Sequence, residues 1–144
     1  MKPYQLLGLS SLFALAACAA MPPAAAGDAS VSGAIRIGHH AAPALRVCAM
    51  PVAGGASRCV ATAGGASSYR IDGVAAGRYY LVGWTGGGEL RLVAHASTIR
   101  CVRAPCPPDE LIAVEVPAGA HVGDIDLTAP YTDVPAGWPG EPAR

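Results

Sequence analysis

The sequence predicts an all-β chain, a single antiparallel β-sandwich of about seven strands. Apolar residues recur at every second position in short runs, and turns rich in Gly and Pro separate these runs about every 8 to 12 residues. We find no apolar stripe of helical period between the runs. The 144 residues are enough for one domain with one core, and two domains would be crowded.

The first strands show their two faces by alternation. In SVSGAIRIG, Val31 and Ile35 point to one face and Ser32 to the other, and ALRVCAM places Leu45 inward and Cys48 outward. A short run at 58–62 lies between two copies of the turn AGGAS and is predicted to pair with the preceding strand.

The later strands differ in how many of their faces they bury. The run 79–84 is apolar on both faces, which predicts a central strand. Residues 85–110 form a longer excursion with a cysteine-containing loop. After it, Ile112, Val114 and Val116 alternate, and the last apolar pair is Ile125 and Leu127. Altogether the sandwich is predicted to span 30–131, with an irregular Pro- and Gly-rich tail at 132–144.

The N-terminus has the layout of an export signal. Residues 1–17 carry one positive charge, an apolar stretch too short to span a bilayer, and then small residues. Leu15-Ala16-Ala17-Cys18 resembles the bacterial lipobox, which implies cleavage before Cys18 and its acylation. We therefore expect a lipoprotein whose tether is 18–29, anchored by Cys18 in the outer membrane and facing the periplasm. Ordinary cleavage near 24–26, releasing a free protein, is the alternative.

The other four cysteines are an even number in an exported chain, where disulfides form. Three connectivities are possible. We favour Cys48 with Cys59, which a hairpin would place opposite each other on an exterior face, and Cys101 with Cys106. A redox role is disfavoured because CVRAPC has four residues between its cysteines instead of two, and the oxidising compartment disfavours a zinc site.

The segment 69–81 reads Y-x-I-x-G-V-x-x-G-x-Y-x-L. This pattern resembles carboxypeptidase regulatory-like and transthyretin-like domains, in which a small loop with a fixed glycine joins one strand to a tyrosine-bearing strand. The resemblance covers roughly 30–128 and is interrupted by the excursion at 85–110. It implies that the small residues between the two runs form a corner of a sandwich and that the protein serves as an accessory, scaffolding or ligand-display module.

Composition and motifs argue against several functions. The net charge is +0 and Lys2 is the only lysine, so no basic stripe suits nucleic acid. The adjacent His39 and His40 point opposite ways on an extended backbone and cannot easily chelate one metal. Asp124 and Asp126 are interpreted as a solvated face. Because no serine has an identifiable histidine and acid partner, we expect no catalysis, and we predict no cofactor and no metal.

Two features remain as candidate binding sites. Tyr80 and Trp84 point to one side of the central strand, where they form either core or an aromatic platform for a sugar or an apolar peptide. The loop RCVRAPCPPDE at 100–110 is expected to hold Arg103 outward in a fixed conformation. The expected function is thus a lipid-anchored, non-catalytic envelope protein that binds an envelope protein or glycan. The alternative is a small protease inhibitor acting through the 100–110 loop.

Overall fold

The structure, a computed structural model, describes residues 27–98 and 101–144. It contains eleven strand segments in this part of the chain and no helix. The segments are β1 Ala29–Ala34, β2 Leu45–Pro51, β3 Arg58–Thr62, β4 Ser68–Val74, β5 Gly77–Thr85, β6 Leu92–Ala94, β7 Ala96–Ser97, β8 Glu110–Leu111, β9 Val114–Val116, β10 His121–Val122 and β11 Ala129–Tyr131.

Two sheets form the sandwich. A three-stranded sheet has the order β10-β1-β4, and a six-stranded sheet has the order β11-β6-β5-β2-β3, with β9 also pairing with β5. All strand pairs are antiparallel except β1 with β10. The predicted all-β sandwich is confirmed, although the chain is divided into more and shorter strands than the alternation indicated.

The main core lies between the two sheets. It is built from the inward residues of the long strands, and its fully buried members include Val31, Val47, Ile71, Leu81 and Leu127. Since each large aliphatic side chain removed from water contributes about 1.5–3 kcal/mol, these positions supply much of the favourable energy of folding.

A second apolar cluster lies on the outer face of the six-stranded sheet. Cys48, Val82, Trp84 and Leu92 are buried there, and Trp138 from the C-terminal segment packs on them. Cys48 and Trp84 both point away from the main core, as the alternation of side chains along their strands predicts. Cys48 therefore lies on the exterior face that was expected, but its side chain is fully covered instead of solvent-exposed.

The corner between β4 and β5 is held by a tyrosine. The Tyr79 hydroxyl donates a hydrogen bond to the Ala75 carbonyl over 2.8 Å, whereas the Tyr69 hydroxyl, at the other end of β4, donates one to the Ile125 carbonyl over 2.6 Å. Gly73 supplies the positive φ of 72° at which the chain leaves β4. The small-residue break in the sequence is therefore a corner of the sandwich, as predicted.

The predicted closing strand begins later than expected. Ile112 is 40% exposed and lies outside β9, which starts at Val114. Its backbone N–H donates to the His95 carbonyl, so the chain is still leaving the β7–β8 pair at this point. The alternation of Ile112 with Val114 was thus misleading about where the buried face begins.

The predicted export signal at 1–17, the lipidation site Cys18 and most of the tether lie outside the described residues. The described part contains no helix that is long and apolar enough to cross a membrane.

Candidate functional site

The excursion between the central and closing strands carries an exposed loop on a paired base. β7 and β8 pair antiparallel, with Ala96 opposite Leu111 and Ser97 opposite Glu110. The Ser97 hydroxyl also donates to the Glu110 carbonyl over 3.2 Å. The chain between these strands therefore leaves and returns at one place on the sandwich.

A disulfide closes the tip of this loop. Cys101 and Cys106 are bonded, with their Cα atoms 5.5 Å apart. Between them, Val102 is 96% exposed and Arg103 is exposed as well. We call residues 101–108 the closed loop. The second disulfide joins Cys48 to Cys59, which are directly opposite in the β2–β3 register, so the cysteines pair in the arrangement that their spacing favours.

The Arg103 guanidinium makes no hydrogen bond or ion pair with any residue that the structure describes. Among the described arginines, only Arg144 shares this property. The others contact acceptors through their guanidinium groups: Arg36 with Asp126, Arg46 with Glu141, Arg58 with the Asp72 carbonyl, Arg70 with Asp72, Arg78 with Glu115 and Arg91 with Glu141. Arg103 thus presents an uncompensated positive charge at the tip of the closed loop.

The base of the closed loop is tied to the C-terminal segment through Asp109. The Tyr131 hydroxyl donates to Asp109 Oδ2 over 2.7 Å, and Trp138 Nε1 donates to the Asp109 carbonyl over 3.3 Å. The rings of Tyr131 and Trp138 meet edge to face, with centroids 4.9 Å apart. Burial, followed by the hydrogen bond to Asp109, raises the pKa of Tyr131 above its ordinary value. These contacts hold the base in place below the exposed tip.

Residues 132–144, which we call the strap, lie across the outer face of the six-stranded sheet. The Arg46 guanidinium donates to the carbonyls of Pro142 and Ala143 over 2.7 and 2.8 Å. Glu141 lies within ion-pair distance of Arg46 and Arg91. The strap contains no strand, and these side-chain contacts bind it to the sheet.

Tyr80 and Trp84 do not form an open aromatic platform. Trp84 is 2% exposed and lies in the cluster that Trp138 packs against. Tyr80 is half-buried and lines a small pocket of about 240 Å³ with Leu111 and Trp138. Of the two alternatives for Tyr80 and Trp84, core or exposed platform, the structure supports the core, because the strap covers the face on which these residues lie.

A polar chain of side chains crosses the outer face of the three-stranded sheet. Arg70 Nη2 donates to Ser30 Oγ over 3.0 Å, and Ser30 Oγ is 2.8 Å from His121 Nδ1. Ser32 Oγ is 3.2 Å from His121 Nε2. Arg70 Nη1 also lies 3.5 Å from Nδ1, and a guanidinium can only donate. The His121 ring thus lies between the two serine hydroxyls and beside the Arg70 guanidinium.

This polar face is a hydrogen-bonded network of two serines, a histidine and an arginine. No carboxylate among the described residues contacts the His121 ring, and Ser30 is mostly buried beneath Arg70 and His121. Asp126 accepts the Ala34 N–H over 2.9 Å and pairs with Arg36, so it fixes the end of β1. No group of three potential metal ligands occurs in the described ranges.

Sequence reasoning missed both the polar face and the role of the strap. Ser30 and His121 are 91 residues apart, and they meet because β1 and β10 pair in parallel. The strap has no periodic pattern that would predict its burial. The two aromatic residues near the C-terminus, Tyr131 and Trp138, were the available signal, since large aromatic rings rarely stay in solvent.

The chain matches no family model, no curated protein and no solved structure.

Proposed function

We propose that the chain is an exported, lipid-anchored and non-catalytic protein of the bacterial cell envelope, whose β-sandwich presents the closed loop to another envelope protein. The observation that carries this proposal is Arg103, which is exposed and has no guanidinium partner among the described residues, in a disulfide-closed loop with a fixed base. The lipobox-like sequence ending at Cys18 supports the anchor.

The closed loop suits recognition because little freedom remains to be lost on binding. The ring between Cys101 and Cys106 restricts the backbone, and Pro105 and Pro107 each fix a φ angle. Preorganisation of this kind reduces the ordering cost of an interface. Arginine is also enriched among the few residues that dominate binding energy.

A protein partner is favoured over a glycan. Sugar rings stack on exposed aromatic faces, whereas the indole of Trp84 is buried and Tyr80 is half-buried beside Trp138. The exposed part of the closed loop instead offers an aliphatic side chain, a guanidinium and prolines, which suits a protein surface with a carboxylate.

Site-specific photocrosslinking in intact cells tests the partner. A photoreactive residue replaces Val102, which is 96% exposed, and the matched control replaces Val52, which is 37% exposed in the β2–β3 turn. Amine-reactive reagents are unsuitable because Lys2 is the only lysine. We expect one main adduct from position 102, weakened by Arg103→Ala and absent from position 52. Equal adducts from both positions would contradict the proposal.

The anchor has its own test. Mass spectrometry of the mature protein is expected to show an acylated Cys18 as the first residue. An unmodified N-terminus beyond residue 18 would show instead that the protein is released after ordinary signal cleavage.

A further inference from the structure

We infer that the protein bound by the closed loop is a serine endopeptidase that cleaves after arginine, and that the loop occupies its active site as an inhibitor. This inference rests on the proposed function of the closed loop as the recognition element.

The side chains at the tip fit the substrate cleft of such an enzyme. Arg103 is exposed and its guanidinium is free of partners in the described part of the chain. Its neighbours Val102 and Ala104 are small and apolar, and no carboxylate lies between Val102 and Pro108. A guanidinium transferred into a recessed pocket needs a carboxylate there, because an unpaired buried charge is costly. Peptidases that cleave after arginine provide that carboxylate.

The next acidic residue is prevented from competing for Arg103. Asp109 accepts the Tyr131 hydroxyl at one carboxylate oxygen, and its carbonyl accepts Trp138 Nε1. The carboxylate is thereby held toward Tyr131, at the end of β11. The positive charge of Arg103 remains available to an enzyme that approaches from solvent, and attraction to an acidic cleft would speed association.

The disulfide explains why the bound loop would inhibit the peptidase instead of being cleaved and released like a substrate. In the peptidase reaction the serine oxygen attacks the Arg103 carbonyl carbon, the bond to the Ala104 nitrogen breaks, and that nitrogen takes up a proton. Water then cleaves the acyl-enzyme. Because Cys101 and Cys106 span this bond, the Ala104 amine stays beside the acyl carbon. Religation by this nearby amine competes with water, as expected from the high effective concentration of a tethered group.

Inhibition of trypsin by the purified full-length protein tests the inference. The readout is hydrolysis of a small arginine amide at micromolar protein. We expect slow, tight inhibition that weakens by about 30-fold or more in Arg103→Ala, the loss typical of a residue that dominates an interface. Arg103→Lys should retain most of the inhibition. Arg103→Leu should no longer inhibit trypsin and should instead inhibit chymotrypsin, whose pocket is apolar.

Two controls test whether inhibition depends on Arg103 in particular and whether the loop stays joined during inhibition. Arg78→Ala removes another exposed arginine, paired with Glu115 across β5 and β9, and should leave inhibition unchanged. Mass spectrometry of the inhibited mixture should show intact chain together with chain that has gained one water and is still joined by the 101–106 disulfide.

Absence of inhibition at micromolar concentration, or rapid and complete cleavage after Arg103 without inhibition, would remove the inference. The proposed function would survive either result if the crosslink from position 102 persisted in intact cells and still required Arg103. Loss of that crosslink as well would remove both.

Discussion

The Tyr131 hydroxyl donates a 2.7 Å hydrogen bond to Asp109 Oδ2, which ties the end of the last strand to the base of the closed loop. Trp138 adds a second bond to the same residue, from Nε1 to the Asp109 carbonyl. Asp109, at the base of the closed loop, is thus the residue to which both the last strand and the strap are bonded. A disturbance of the strap is expected to reach the loop, although the two segments are separated in sequence by β8 to β11.

Replacement of Trp138 by Ala should uncover the outer face of the six-stranded sheet. The change removes the edge contact with Tyr131 and the packing on the cluster around Trp84. We expect a loss of about 1–3 kcal/mol, less than for a fully buried tryptophan. The chain has two tryptophans, so the variant reports on Trp84 alone, and its emission should shift to longer wavelength. Val134→Ala, in the same segment and 36% exposed, is the control and should change neither quantity.

The two disulfides should differ in their rates of reduction. Cys106 is exposed at the tip of the closed loop, whereas Cys48 is fully buried in the cluster against which Trp138 of the strap packs. Thiol–disulfide exchange requires access to a sulfur atom, so mild reductant should open Cys101–Cys106 first and leave the far-ultraviolet dichroism unchanged. Alkylation followed by peptide mapping measures the order. In denaturant the difference should vanish, and equal native rates would mean that the strap does not protect Cys48.

Substitution of Gly33 by Ala should be strongly destabilising. A Cβ at Gly33 would overlap the Ile125 carbonyl, because the chain at 125–127 runs directly beside β1. We expect a loss of about 2–4 kcal/mol, measured by urea unfolding. Gly86→Ala provides the matched control, since nothing lies within 4 Å of its Cβ position. Similar losses in the two variants would show that the close approach at Gly33 is not the cause.

Stability should fall at alkaline pH. Burial, followed by the charge of Asp126, raises the pKa of Tyr69 above its ordinary value of 10.0. An unfolded chain releases this proton near pH 10 while the folded chain retains it. The contribution is therefore complete below pH 10 and is lost as the pH rises toward the folded-state pKa. Urea unfolding from about pH 8 to about pH 11 measures the decline, which Tyr69→Phe should make shallower. An unchanged slope in Tyr69→Phe would contradict this assignment.

Local sequence patterns were sufficient to predict the long strands and the face to which each of their side chains points. Tyr79 and Leu81 enter the main core while Tyr80 and Trp84 face the opposite way, as the period of two predicts. The β2–β3 hairpin was also predictable, because the cysteines at its two sides lie at a separation that a hairpin turn can close. In these cases the determining contacts are close in sequence.

Contacts between distant segments were not predictable from these patterns. The parallel pairing that joins Ser30 to His121 is set by packing of the whole sandwich. The burial of Trp84 depends on the strap, an irregular segment in which no periodicity distinguishes a packed residue from a solvated one. The same distinction between local and distant contacts applies to the candidate site. The exposure of Arg103 was predictable from cysteine spacing and prolines, whereas the attachment of Asp109 to Tyr131 and Trp138 was not.

Coverage by the strap leaves the middle of the two long central strands, at 47–50 and 81–84, with no water-facing side. Homologous chains that keep this C-terminal segment should accordingly carry apolar residues at both odd and even positions of 47–50 and 81–84. A homologue that has lost it should instead show polar substitutions at the positions equivalent to 48, 82 and 84, so evolutionary variation at one end of the polypeptide would be correlated with that at its middle.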